Sequence, residues 1–187
     1  MRTRSGAAIA AVTAVAVAGL ALGAAFEPIW AHGPTRQKVR ESIEINAPQA
    51  KVWAAIGNFQ DMSWLAGVSK TEGEKGNEIG ATRRLTLAPG VTIEEELSKY
   101  EPEMMSYSYR ITAVDVKVLP VTNYSSTLEV SPAPGGKAKL EWSGAFYRGY
   151  PNNDPPPELN DEAAIKAVSG LYKAGLEVLK KKIESGS

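Results

Sequence analysis

Two oppositely charged residues, Arg83 and Glu95, stand among apolar positions of two adjacent strand-like segments. Leu85 and Leu87 share one face of the first segment with Arg83, and Ile93 shares one face of the second with Glu95. A guanidinium and a carboxylate on an apolar face are costly to bury unless they pair directly and make further hydrogen bonds. The pattern therefore indicates an ion pair, either as a polar anchor inside a ligand cavity or at the sheet edge, where it reaches water.

The loop between these segments sets which residues face each other. A three-residue Ala-Pro-Gly loop at 88–90, with glycine in the left-handed conformation, predicts that Arg83 lies directly opposite Glu95. A slip of one residue in the register would instead turn Arg84 and Glu96 toward the core. Both alternatives follow from the sequence alone.

Aromatic side chains form a second set of candidate binding residues. They alternate along the later strand-like segments: Tyr107, Tyr109, Tyr124, Trp142 and Phe146. Aromatic rings with a few hydroxyl groups are typical of an apolar small-molecule pocket. The same residues also suit a hydrophobic core, and Trp64, beside Met62 and Leu65, is interpreted as a lid or as a core plug.

The composition excludes many kinds of functional site. The 187 residues include 21 Lys+Arg and 21 Asp+Glu, one His and no Cys. The balanced charge argues against a nucleic-acid binder, and the absence of Cys excludes thiolate metal sites and a cysteine nucleophile. We therefore expect no metal and no cofactor, we assign no catalytic residue, and the composition favours a binding protein over an enzyme.

Alternation of apolar and polar residues recurs from residue 39 onward and predicts an antiparallel sheet. The predicted strands cover residues 39–45, 82–87, 91–97, 104–111, 124–130 and 137–146. Turns rich in proline and glycine separate the later strands, with no helix between them for parallel crossovers. Two short helices are predicted after the first strand, at 49–57 and 61–65.

A proline-rich linker at 150–158 precedes a C-terminal helix of about 22 residues, capped by Asn160 or Asp161. Acidic residues in its first turn and lysines in its last turn match the helix dipole. Apolar residues recur at three- and four-residue steps and predict one buried face: Ile165, Val168, Tyr172, Leu176, Leu179 and Ile183.

The N-terminal segment has the pattern of a secretory signal peptide. Arg2 and Arg4 precede an uncharged run at 5–26 that is rich in Ala, Val and Gly. Small residues allow cleavage after Ala31 or after Ala25, and an uncleaved membrane anchor is the alternative. We expect residues 1–31 to be removed on export to the periplasm, and residues 32–187 to form a single domain.

The order of a strand, two short helices, an antiparallel meander and a long C-terminal helix resembles the START/Bet v 1-like (SRPBCC) superfamily. The resemblance covers residues 39–182 and includes motifs typical of the polyketide cyclase/dehydrase-like branch: 45–48 with 51–53, 80–83, 95–97, 107–110, 119–124 and 142–146. It implies an α+β helix-grip fold, with a seven-stranded antiparallel sheet wrapped around the long helix and an apolar cavity between them. The candidates for lining that cavity are Trp64, Arg83, Glu95, Tyr107, Tyr109, Tyr124, Trp142, Phe146 and Tyr172.

Two terminal motifs, at 31–39 and 153–161, resemble MxaD-type proteins, which are periplasmic accessory factors of bacterial methanol oxidation. This resemblance implies a non-catalytic role that assists methanol dehydrogenase and its cytochrome c acceptor. Members of this group often have Trp-His-Pro after the first helix, where this chain has Trp-Leu-Ala at 64–66.

Three functions remain open on the sequence. The leading hypothesis is a soluble periplasmic accessory or binding protein of the MxaD type. The second is a cyclase- or dehydratase-like enzyme that uses Arg83, Glu95 and a tyrosine in the cavity. The third is a carrier of a hydrophobic small molecule.

Overall fold

The computed structural model describes residues 33–87 and 90–186. The predicted signal segment, residues 1–31, lies outside these residues. The described part contains seven strands and two α-helices. The strands are β1 (Gln37–Ile45), β2 (Val68–Glu74), β3 (Thr82–Leu87), β4 (Val91–Glu101), β5 (Ser106–Ala113), β6 (Val121–Ala133) and β7 (Lys137–Arg148), and the helices are α1 (Gln49–Ile56) and α2 (Asp161–Ser185).

The seven strands form one antiparallel sheet in the order β1-β7-β6-β5-β4-β3-β2. Consecutive strands from β2 to β7 are neighbours, as short turns allow in an antiparallel meander. The long helix α2 packs on β1 and β7 and closes the core against the inward face of the sheet. This arrangement is the predicted α+β helix-grip fold.

The β3–β4 hairpin has the register that its loop length predicts. Arg83 faces Glu95, Leu85 faces Ile93, and Leu87 faces Val91. Gly90 has a φ of 88°, in the left-handed region, and its N–H donates to the Leu87 carbonyl at 2.8 Å. The register that would turn Arg84 inward is therefore wrong.

Helix α2 begins and ends with side-chain and backbone caps. The Asn160 side chain accepts a hydrogen bond from the N–H of Ala163 at 2.8 Å, and Gly186 ends the helix in the left-handed conformation. The predicted buried face is present from Val168 to Ile183. Ile165 departs from it with 37% exposure, because Ala164 takes the buried position in that turn.

The second short helix predicted at 61–65 is a series of turns in the structure. The Asp61 carboxylate accepts the backbone N–H of Ser63 at 2.8 Å, which offers the backbone an alternative to the helical hydrogen bond. The N–H of Leu65 then donates to the Met62 carbonyl, and Gly67, at a φ of 88°, ends the turns.

Strand β2 is absent from the strands predicted by alternation, although the family resemblance implies a seventh strand. Its sequence, Val-Ser-Lys-Thr-Glu-Gly-Glu, carries no periodic apolar face, and most of its residues are exposed. Such a polar composition protects an edge strand from pairing with other chains, and it also removes the hydrophobic signal of a strand. Among the described helices, none combines the length and apolar character needed to cross a membrane.

Two glycines of α2 occupy opposite environments and provide a matched test of its packing. A Cβ at Gly175 would lie 2.8 Å from Leu65 Cδ1 and 3.0 Å from Trp142 Cζ3, whereas a Cβ at Gly170 meets no atom within 4 Å. Both substitutions to alanine improve helix propensity by about 0.5–1 kcal/mol. Only Gly175→Ala must also displace neighbouring side chains.

We expect Gly170→Ala to raise the free energy of unfolding by about 0.5–1 kcal/mol. Gly175→Ala should be less stable than Gly170→Ala by about 1–3 kcal/mol, the usual cost of an overpacked site. Urea unfolding followed by tryptophan fluorescence measures both. Equal stabilities of the two variants would contradict the close packing of α2 on Leu65 and Trp142.

Candidate functional site

An internal cavity of about 280 Å³ lies between the sheet and helix α2. Most of its wall is aliphatic, and the polar side chains that line it come from β4, β5 and β6. The lining residues are Met62, Leu65, Ala66, Gly67, Val68, Leu85, Leu87, Ile93, Glu95, Tyr109, Ile111, Leu119, Tyr124, Trp142 and Leu171. A groove of about 410 Å³ along β1, β6 and β7 is larger, but it is lined mainly by serine, threonine and small residues. The internal cavity has the apolar wall with few polar groups that small-molecule sites share.

The polar end of the cavity begins with the Arg83–Glu95 pair. Strands β3 and β4 place the two residues opposite each other on the inward face of the sheet. Arg83 Nε donates to Glu95 Oε2 at 2.6 Å, and the two side chains are 0% and 5% exposed. The pair is therefore buried on the inward face and is not an exposed pair at the sheet edge.

The remaining contacts of Arg83 direct its guanidinium toward the loop that follows α1. Its Nη1 donates to the Phe59 carbonyl at 2.7 Å. Its Cζ lies 4.1 Å from the centroid of the Phe59 ring and 4.9 Å from that of the Tyr109 ring. Within the described residues, no hydrogen bond of good geometry reaches the buried Arg83 Nη2 or the buried Tyr107 hydroxyl. Burial raises the pKa of Tyr107, and the adjacent Arg83 side chain opposes that rise. Arg83 thus joins β3 to the loop, and Glu95 is the member of the pair that lines the cavity.

Burial and pairing act in opposite directions on these two charges. Burial raises the pKa of the Glu95 carboxyl, and the adjacent Arg83 opposes that rise. Burial alone lowers the pKa of Arg83, but Glu95 and the neighbouring tyrosines raise it above its usual range. A guanidinium keeps its proton in proteins, and its direct contact with the Glu95 carboxylate favours the ionised form of that carboxyl.

Four further side chains form a hydrogen-bonded network beside the cavity. The Tyr124 and Tyr172 hydroxyls hydrogen-bond each other, Tyr172 also contacts Ser126 Oγ at 3.0 Å, and Trp142 Nε1 donates to that same oxygen at 2.8 Å. Burial raises the pKa of Tyr124 well above its ordinary value and that of Tyr172 to about 12. These hydroxyls therefore keep their protons at neutral pH and serve as hydrogen-bonding groups rather than bases.

Tyr109 also lines the cavity, with 2% exposure of the whole residue. Burial, followed by the charge of Glu95, raises its pKa well above the ordinary value. Its ring packs against those of Tyr107 and Tyr124 at centroid distances of 6.1 and 6.2 Å. Among the described residues, its hydroxyl has no hydrogen-bond partner.

The entrance loop, residues 57–67 between α1 and β2, covers one side of the cavity. The first half of the loop is held by polar contacts: the Tyr100 hydroxyl donates to the Gly57 carbonyl at 2.9 Å, and Phe59 N–H donates to Asn77 Oδ1 at 2.8 Å. In its second half, Trp64 packs edge-on against Trp142 with ring centroids 5.6 Å apart. Met62 and Leu65 supply the loop's aliphatic wall, so Trp64 is a core plug behind that wall.

The structure distributes the sequence-predicted residues between the cavity and the core. Glu95, Tyr109, Tyr124 and Trp142 line the cavity. The other five are buried in the described core beside it: Trp64, Arg83, Tyr107, Phe146 and Tyr172. The described residues contain no group of three or more His, Cys, Asp or Glu side chains that could hold a metal ion.

Sequence reasoning missed most of the aliphatic lining. Leu85 and Ile93 carried a signal, because they share the inward face with Arg83 and Glu95. Leu119 follows β5 in a loop, and Leu171 lies beside the apolar stripe of α2, so neither has a periodic signal that marks a cavity wall.

A sequence profile for the family described as "Polyketide cyclase / dehydrase and lipid transport" matches residues 36–184. Among solved structures, the protein XoxI from Bacillus cereus is 30% identical, with a TM-score of 0.66 over 78% of this chain and 94% of that chain. An uncharacterized protein from Bacillus thuringiensis is also 30% identical, with a TM-score of 0.67 over 79% of this chain and 98% of that chain.

Norcoclaurine synthase from Thalictrum flavum, solved in complex with dopamine and hydroxybenzaldehyde, is 15% identical, with a TM-score of 0.60 over 82% of this chain and 90% of that chain. At this identity the likeness concerns the fold alone. Among curated proteins, none matches the sequence significantly.

Two neighbouring arginines allow the buried pair to be compared with an exposed one. Arg84 pairs with Glu94 at 2.6 Å, but those side chains are 58% and 42% exposed. Arg83→Met should lower the free energy of unfolding by about 3–5 kcal/mol, because it leaves the Glu95 carboxylate buried without its partner. Arg84→Met should lower it by about 1 kcal/mol or less.

Urea unfolding of both variants, with circular dichroism as the second probe, measures the difference. A double variant, Arg83→Met with Glu95→Leu, should recover much of the lost stability, since no unpaired charge is then buried. Equal losses from Arg83→Met and Arg84→Met would contradict the buried pair.

Proposed function

Because the chain belongs to the polyketide cyclase/dehydrase and lipid transport family, we propose that it holds a small, largely apolar molecule in the internal cavity and performs no chemistry on it. The observation that carries this proposal is the cavity itself, with a volume of about 280 Å³ and a mostly aliphatic and aromatic wall. Burial of apolar ligand surface against such a wall supplies the binding free energy.

The states of the polar lining groups support binding rather than catalysis. Glu95 is held in an ion pair with Arg83, and the Tyr109 and Tyr124 hydroxyls keep their protons because burial raises their pKa values. A general base must lose its proton near the working pH, which these tyrosines do not. In the cyclase- or dehydratase-like alternative, which uses Arg83, Glu95 and a tyrosine, the base would therefore be Glu95, whose pKa burial raises and Arg83 lowers.

We further propose that the protein acts outside the cytoplasm as an accessory factor of the MxaD type. The support is in the sequence: a signal-like segment at 1–31 and the two terminal motifs at 31–39 and 153–161. The partners in this proposal are methanol dehydrogenase and its cytochrome c. In this proposal, the molecule bound in the cavity modulates the interaction with these partners and is not chemically converted.

Binding in the cavity is tested with N-phenyl-1-naphthylamine, an uncharged probe that fluoresces in apolar surroundings. We expect saturable binding by the wild-type protein. Ile111→Trp, which places a larger side chain on the cavity wall, should lower probe affinity by about tenfold or more, since the indole fills the space that the probe needs.

Thr112→Trp is the matched control, because Thr112 is the exposed next residue and does not line the internal cavity. It should bind the probe as the wild type does. Native mass spectrometry of freshly purified protein then shows whether a natural occupant is retained. Absence of saturable probe binding, or equal loss in both variants, would contradict a binding function for the cavity.

The accessory role is tested in a methylotrophic host that carries the gene. We expect deletion of the gene to lower methanol-dependent oxygen uptake, and the tagged protein to recover methanol dehydrogenase or cytochrome c from the periplasmic fraction. Complementation with wild type and with Ile111→Trp shows whether the cavity is needed for this role.

Unchanged oxygen uptake, together with no recovery of methanol dehydrogenase or cytochrome c, would contradict the accessory role. Turnover of a cavity-bound compound that Glu95→Gln abolishes in a folded protein would instead establish the enzyme alternative.

A further inference from the structure

We propose that the molecule bound in the internal cavity carries an uncharged hydroxyl or a cationic amine, received by Glu95 and Tyr109, and that the site rejects carboxylates. This inference rests on the proposed binding function and specifies the chemical class of its ligand. It follows from which atoms of the buried Arg83–Glu95 pair already have hydrogen-bond partners in the protein and which remain free to bind a ligand.

Glu95 has one engaged oxygen and one free oxygen. Its Oε2 accepts from Arg83 Nε at 2.6 Å, whereas Oε1 has no hydrogen-bond partner among the residues that the structure describes. Glu95 lines the cavity, and its unpaired Oε1 keeps some accessible surface. An ionised carboxylate only accepts hydrogen bonds, so a ligand must bring a donor to satisfy this oxygen.

Arg83 does not offer a compensating positive charge to the ligand. Its Nε and Nη1 are bound to Glu95 and to the Phe59 carbonyl, and its guanidinium carbon lies 4.1 and 4.9 Å from the ring centroids of Phe59 and Tyr109. Its Nη2 has no hydrogen bond among the described residues, but it is buried. Arg83 does not line the cavity among its described residues, in contrast to Glu95. A ligand carboxylate would therefore meet the Glu95 carboxylate at short range, where like charges repel and neither is well solvated.

Tyr109 supplies the second polar atom at this end of the cavity. Strands β4 and β5 place Glu95 opposite Ile111 and Leu97 opposite Tyr109, so Glu95 and Tyr109 are diagonal neighbours on the inward face. The Tyr109 hydroxyl has no hydrogen bond within the described structure, and Tyr124 is already bonded to Tyr172. A ligand hydroxyl can donate to Glu95 and accept from Tyr109 at the same time.

Three naphthalene compounds of similar shape separate the possibilities. At neutral pH, 2-naphthol is an uncharged donor, 2-methoxynaphthalene has the same body without a donor, and 2-naphthoate is an anion. We expect 2-naphthol to bind at least about tenfold more tightly than either of the others, because a hydrogen bond to a charged group contributes about that factor. Isothermal titration calorimetry measures the three affinities.

Tyr109→Phe and Tyr107→Phe form a matched pair of variants. Both residues are buried on β5, but only Tyr109 lines the cavity. Tyr109→Phe should lower the affinity for 2-naphthol about three- to tenfold and leave that for 2-methoxynaphthalene unchanged. Tyr107→Phe should leave both affinities unchanged.

Glu95→Gln, checked for folding by circular dichroism, tests the carboxylate directly. It should reduce the preference for 2-naphthol over 2-naphthoate, because the like charge is removed from the wall. The Tyr109 pair keeps the inference testable if Glu95→Gln does not fold.

The outcomes distinguish this inference from the binding function on which it rests. Failure of all three compounds to bind would overturn the proposed function. Binding of 2-naphthoate as tight as that of 2-naphthol, or equal affinities for 2-naphthol and 2-methoxynaphthalene, would overturn the donor preference and leave the binding function in place.

Discussion

The buried ion pair between Arg83 and Glu95 is the constraint on which the inward face of the sheet depends. Each charge alone would cost several kcal/mol to remove from water, so the fold must bring the two together at short range and supply further partners. The hairpin register brings the two charges together, with 2.6 Å between Arg83 Nε and Glu95 Oε2. Arg83 finds its further partners in the Phe59 carbonyl and in the rings of Phe59 and Tyr109. The pair therefore links β3, β4 and β5 to the entrance loop.

The same geometry determines which charge the cavity presents. Because the guanidinium is engaged by the entrance loop, the wall exposes a carboxylate oxygen and a protonated tyrosine hydroxyl within an otherwise apolar surface. A helix-grip cavity with an accessible arginine would select acidic ligands, whereas this arrangement favours hydrogen-bond donors. The pair thus contributes to folding through its engaged atoms and to specificity through the atom that remains free.

Sequence reasoning recovered those features that local rules determine. A three-residue loop ending in glycine predicted the observed β3–β4 register and the Arg83–Glu95 pair, although the sequence also allowed a slip of one residue. Three- and four-residue spacing predicted most of the buried face of α2. It failed where tertiary context decides, as at strand β2, which has no apolar face, and at residues 61–65, where Asp61 favours turns. It also could not divide inward aromatic residues between core and cavity, because Tyr107 and Tyr109 share the same period and differ only in what packs against them.

The central claim is that Glu95, rather than Arg83, contacts the polar group of a bound ligand. A crystal structure of the protein with 2-naphthol tests it most directly. We expect the naphthalene rings to lie among the aliphatic wall residues, with the naphthol oxygen within hydrogen-bond distance of Glu95 Oε1 and the Tyr109 hydroxyl. A naphthol oxygen bound to the Arg83 guanidinium, or pointing to the opposite end of the cavity from Glu95, would contradict it.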